Sequence, residues 1–170
     1  MEGYFFGAER LEELLLRTYF PEKADHETKL LLEFLAEYGR TFERIGFSVR
    51  VGQGNTPNPD HEPGVQRSTA FSSKRRIDFV GLQGKQATLV EMKTRVGHQV
   101  LGQLLSDRQL WIGEFPDAPE PILVAVGRSS TPEELAILSA HGITVLLYAE
   151  ANAAGNAPRS PVGPGDGAPA

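Results

Sequence analysis

Two short β-prone runs, Arg76–Leu82 and Ala87–Lys93, flank the turn Gln83-Gly84-Lys85, and charge interrupts both. Runs of this kind joined by a glycine turn signal an antiparallel hairpin. Asp78 breaks the first run, and Glu91 and Lys93 break the second. Side chains alternate between the faces of a strand, so Glu91 and Lys93 share one face while Val90 and Met92 take the other. If the runs pair across the turn, Asp78 lies beside Glu91. Two carboxylates and an ammonium then meet at one end of the hairpin.

The rest of the chain supplies a frame for that hairpin. Glu9–Tyr19 reads as a helix ended by Phe20-Pro21. A longer helix is expected from an Asp25 cap to about Arg44, with Leu31, Phe34, Leu35, Tyr38 and Phe42 on one stripe. Phe47–Val51 reads as a strand, residues 52–64 as a loop of turn formers, and Val65–Phe71 as an irregular extended segment. Beyond the hairpin, Gly97–Gly113 is helical and Pro121–Val126 an apolar strand. A helix capped by Ser130 or Thr131 runs to Ala140, and Ile143–Ala149 is a last strand. Apolar strands alternating with helices imply an α/β domain, a central mixed sheet with helices on both faces.

One domain is expected over residues 1–150, with its core over about 25–149. Residues 151–170 carry four prolines and four glycines and read as a disordered tail. The chain has no cysteine, which excludes disulfide scaffolds, thiolate metal sites and cysteine nucleophiles. Its four histidines have no ligand spacing among themselves. Its apolar runs fall far short of the roughly 20 residues a bilayer span needs. The N-terminal residues show no basic stretch followed by an apolar one, so a cytoplasmic protein is expected. The net charge of −5 conceals a basic centre: residues 40–108 hold 11 Lys or Arg against 6 Asp or Glu. A local field of that sign serves a polyanion even when the total is negative.

Asp78, Glu91 and Lys93 fall in this basic block. Carboxylates buried close together need a compensating cation, and a divalent metal is the usual one. Oxygen donors in small number suit Mg²⁺ or Mn²⁺, and a neighbouring lysine can orient a water or meet charge developing on a phosphate oxygen. These are parts for phosphodiester hydrolysis. The bland alternative is a solvated sheet face carrying cross-strand charge pairs.

Asp78, then Glu91-Met92-Lys93 thirteen residues on, then a helix carrying Gln99 and Gln103, resembles the core of the PD-(D/E)xK nuclease superfamily. Ile77 stands where the motif's proline would be, and Asp107 where RecB-type relatives place a tyrosine four residues after the glutamine. The resemblance covers about residues 27–113 and implies a restriction-endonuclease-like fold. It implies a Mg²⁺- or Mn²⁺-dependent deoxyribonuclease in which Asp78, Glu91 and the Met92 carbonyl hold the metal and Lys93 is catalytic, with Gln103 beside them. It further implies DNA as partner, with a homodimer or a larger repair or defence complex allowed. The alternative is a catalytically inactive DNA-binding or adaptor subunit on the same fold.

The superfamily places an acid on its first core helix, and Glu27, Glu33 and Glu37 compete for that role. With Leu31 at zero and 100° per residue, Glu27 falls at about −40°, inside the inward stripe, and Glu33 and Glu37 fall outside it. Glu27 is the choice, against the alternative of an ordinary first-turn acid favoured by the helix dipole. Arg67, Lys74, Arg75, Arg76, Arg95 and Gln99 are candidates for contact with nucleic acid, or ordinary solubilising groups. The segment 52–75 is expected to be mobile and to close over a phosphate backbone.

Overall fold

The computed structural model describes residues 2–20 and 23–149. The expected disordered tail, 151–170, lies outside the described residues. The chain begins with β1 (Glu2–Gly7), a 3₁₀ turn (Ala8–Arg10) and the short α1 (Leu11–Leu15), followed by α2 (Asp25–Tyr38) and a second 3₁₀ turn (Gly39–Thr41). Then come β2 (Arg44–Val51), α3 (Pro63–Ser72), β3 (Arg75–Gln83), β4 (Gln86–Met92), α4 (His98–Glu114), β5 (Ile122–Gly127), α5 (Pro132–Ala140) and β6 (Ile143–Leu147). The six strands form one mixed sheet in sequence order. The pairs from β1 to β4 are antiparallel, and β4/β5 and β5/β6 are parallel. This is an α/β protein. No helix among the described residues is long and apolar enough to cross a membrane.

The sheet is covered on both faces. One layer joins α1 and α2, through Leu11, Leu14, Leu31, Phe34 and Leu35, to Phe47, Phe79, Val90 and Met92. Phe34 packs edge-on against Phe79 at 5.2 Å. The other joins α4 and α5, through Val100, Leu104, Trp111 and Leu138, to Val80, Leu89, Leu123 and Ala125. The parallel half follows from α4 and α5, since parallel neighbours need a crossover, usually helical.

Several expectations are corrected. β1 carries no alternation long enough to read from sequence, and it enters the sheet by pairing with β2. The first helix stops at Leu15, far short of Tyr19, because Leu16 and Tyr19 have no apolar surface to meet and stand 84 % and 64 % exposed. The cap of α2 is Ala24, whose carbonyl accepts the Thr28 N–H at 2.9 Å. Asp25 is the first helical residue, and α2 ends at Tyr38 rather than near Arg44, because Arg44 onward joins the sheet.

Residues 63–72, within the segment expected to be extended and mobile, form α3. Pro63 begins it with a pre-set φ, and the Gln66 N–H closes on the Glu62 carbonyl at 3.0 Å. The preceding loop is tied to its C-terminal end, where the Asn55 N–H donates to Ser73 Oγ at 2.7 Å. Gly54 has φ +75 and passes so close to the Ala70 carbonyl that no side chain fits there.

Candidate active site

The site grows from a bend shared by β2 and β3. Phe47 opposes Phe79 and Val49 opposes Ile77, yet the first pair packs with α2 and the second with α4. Both strands therefore change face between those pairs, where Ser48 and Asp78 stand. Ser48 is the one non-glycine with positive φ among the described residues, at 49°. Backbone held in that region stores strain that persists only where its surroundings fix it, commonly at functional positions.

Asp78 and Glu91 continue the register in which Phe79 opposes Val90, so the two carboxylates come from opposed positions at the open end of the hairpin. Asp78 Oδ2 accepts the Met92 N–H at 3.1 Å. Its Oδ1 lies 2.8 Å from Lys23 Nζ, an ammonium whose side chain is 1 % exposed. Lys93 sits between two acids, with Nζ 3.3 Å from Glu91 Oε1 and 3.3 Å from Glu27 Oε1.

Glu27 also accepts the Ala24 N–H at the start of α2 at 3.4 Å, so one carboxylate meets both the first turn of the helix and the lysine of the motif. The competing glutamates are engaged elsewhere. Glu33 pairs with Arg128 at 2.6 Å, and Glu37 accepts the Tyr148 hydroxyl at 2.8 Å.

Glu27, Asp78, Glu91, Lys93 and Gln103 line one cavity of about 480 Å³, with Ser48, Ser73, Lys74, Arg75 and Arg76 completing its wall. Its electrostatics are set by burial. Desolvation first, and Asp78 second, push the Glu91 carboxyl up to about 8 despite Lys93. Burial alone would lower the Lys93 ammonium, but Glu91, Asp78 and Glu27 together hold it above its ordinary value. Beneath the cavity Asp107 is fully buried on α4, 2.7 Å from Arg75 Nε. Burial raises its carboxyl to about 6, so desolvation outweighs the ion pair.

Arg67, Arg95 and Gln99 do not line this cavity. Arg67 is on exposed α3 and Gln99 on the solvent side of α4. Arg95 is drawn to Glu134 at 2.9 Å. Glu134 belongs to the capping box of α5, in which Thr131 Oγ1 accepts the Glu134 N–H. Conversely, Lys23, Ser48 and the Arg75–Asp107 pair belong to the site without being legible in the sequence. A lysine two residues after Pro21 and a serine inside an apolar strand carry no periodic signal. Asp107 was visible as an acid four residues after Gln103, on the same helix face.

The donor set suits a hard divalent cation. Glu91 Oε2 and Gln103 Oε1 are buried acceptors with no hydrogen-bond partner, and a buried carboxylate short of compensation is what such an ion relieves. Among the described residues no three His, Asp or Glu side chains are grouped to hold a metal by themselves. Asp78 and Glu91 could hold a cation only together with oxygens of other kinds, such as the Gln103 amide that lines the same cavity.

The fold and site define an α/β protein with a mixed six-stranded sheet and a carboxylate–lysine cavity at the open end of its β3–β4 hairpin. Comparison with protein-family models, curated proteins and solved structures returns no match.

Proposed function

We propose that this chain is a metal-dependent nuclease of the PD-(D/E)xK type on a restriction-endonuclease-like fold, hydrolysing phosphodiester bonds of DNA. The observation that carries the reading is the convergence of Glu27, Asp78, Glu91 and Lys93 in one cavity whose wall includes Lys74, Arg75 and Arg76. Carboxylates and cations lining one cavity suit a phosphodiester backbone: the cations attract the strand, and the acids serve the chemistry.

In this reading Asp78 and Glu91 would hold Mg²⁺ or Mn²⁺. When bound, the ion supplies Lewis-acid polarisation of the scissile phosphate and lowers the pKa of a water. Lys93, kept protonated by its acidic neighbours, donates a hydrogen bond to the attacking water or to a phosphate oxygen gaining charge. Glu27, 3.3 Å from Lys93 Nζ, holds that ammonium toward the cavity. Arg75, braced by Asp107, fixes the phosphate backbone beside it. Attack in line leaves a 3′-hydroxyl and a 5′-phosphate.

Mg²⁺-dependent cleavage of plasmid and single-stranded DNA tests the proposal. Lys93→Ala is expected to reduce turnover about a hundredfold or more while DNA affinity changes little. Cleavage that survives unchanged in Lys93→Ala ends the reading.

One observation favours a second reading, a DNA-binding or adaptor module without catalysis. Both oxygens of Asp78 are already engaged, by Lys23 and by the Met92 N–H. Calorimetry that finds DNA binding but no Mn²⁺ or Mg²⁺ affinity would select it.

A further inference from the structure

Lys23 is a buried cation inside a site that needs one. Its side chain is 1 % exposed and its Nζ lies 2.8 Å from Asp78 Oδ1. A buried ammonium is unfavourable unless a carboxylate meets it, and Asp78 is the carboxylate that meets this one. The opposite oxygen of Asp78 accepts the Met92 N–H at 3.1 Å. In two-metal phosphodiesterases the ions lie about 3.5–4 Å apart, and a carboxylate between them needs an oxygen for each. Here one of those oxygens already faces an ammonium.

The charge balance points the same way. Glu27, Asp78 and Glu91 bring three formal negative charges, against which Lys23 and Lys93 bring two positive ones. One divalent cation more than neutralises the remainder. A second would leave a strongly positive cluster in a cavity that Lys74, Arg75 and Arg76 also line.

We propose that Lys23 is a resident cation standing in place of a second divalent ion, so that this site takes one metal ion per chain. The proposal rests on the nuclease reading above and deepens it, by fixing the metal stoichiometry and assigning Lys23 as the positioning residue of Asp78.

The test is calorimetric titration of Mn²⁺ into the full chain without DNA, paired with electron paramagnetic resonance of the bound ion. The wild type and Lys23→Arg, which keeps the charge, are expected to bind one Mn²⁺ with the spectrum of an isolated ion. Lys23→Met removes the charge at similar length, and its stoichiometry is expected to rise to two, with the broadened spectrum of a coupled pair. Two ions in the wild type overturn the proposal and leave the nuclease reading standing. A single ion in Lys23→Met, at whatever affinity, also overturns it. Should Lys23→Met not fold, Lys23→Gln also removes the charge and takes its place, with two ions again the expected result and a single ion the overturning one. No Mn²⁺ bound to any of the three would instead sink the metal-dependent reading itself.

Discussion

Replacing Glu91 with glutamine separates the charge of the site from its shape. Glu91 is 1 % exposed, and burial together with Asp78 lifts its carboxyl from 4.5 to about 8. Because the folded value lies above the unfolded one, Glu91 exacts no penalty below about pH 4.5, and the penalty grows as pH rises to about 8. At 1.36 kcal/mol per unit that shift amounts to roughly 5 kcal/mol once the carboxyl is fully ionised, and roughly 3 kcal/mol at neutral pH. Glutamine keeps an oxygen for Lys93 and carries no charge. Glu91→Gln in a chelator should therefore match the wild type in stability near pH 4.5, and exceed it by about 2–4 kcal/mol near pH 9. That corresponds to a melting temperature higher by about 5–15 °C for a domain of this size. Thermal unfolding followed by circular dichroism across this range reads the difference directly. A gap between variant and wild type that is constant with pH, or that narrows as pH rises, would refute the reasoning. Saturating Mn²⁺ should reverse the order at high pH, because the carboxylate binds the ion more tightly than the amide and ligand binding stabilises the folded state.

Three further outcomes are expected. The double substitution Lys74→Ala/Arg76→Ala should weaken DNA binding and flatten its salt dependence by about 0.9 in log–log slope per lost phosphate contact, with single-turnover cleavage at saturating DNA nearly normal; filter binding at several salt concentrations measures this, and intact binding with lost cutting would place both residues in the chemistry. Arg75→Ala leaves Asp107 buried without its cation and should destabilise the fold by about 3 kcal/mol, a loss that Arg75→Ala/Asp107→Asn partly restores in urea unfolding; an uncoupled pair of effects would show that the ion pair does not support the cavity floor. Gly81→Ala drives a Cβ into the Phe42 ring and should lower stability by about 1–3 kcal/mol through overpacking; a melting temperature equal to that of the wild type would show that the ring has room to move.

What could be read from the residues alone was whatever local periodicity and short-range pairing control. The β3–β4 hairpin follows from two apolar runs around Gly84, and it carries the opposed placement of Asp78 and Glu91 with it. The long helices α2 and α4 and the last strand–helix–strand unit follow from their apolar stripes, from Pro132 and from the Thr131 cap. Helical angle favours Glu27 over Glu33 and Glu37, and Glu27 is the one of the three that meets Lys93. The tertiary structure decided the rest, because those features depend on partners distant in sequence. β1 is a strand only by virtue of its pairing with β2. Arg95 pairs with Glu134, 39 positions away, and does not line the cavity. Lys23 meets Asp78 across 55 positions, and no spacing rule links a lysine before one helix to an aspartate in a strand on the sheet beneath it. The sheet bend at Ser48 and Asp78 likewise exists only once both faces are packed, since which face a residue takes there is set by the layers on either side and not by alternation along the strand.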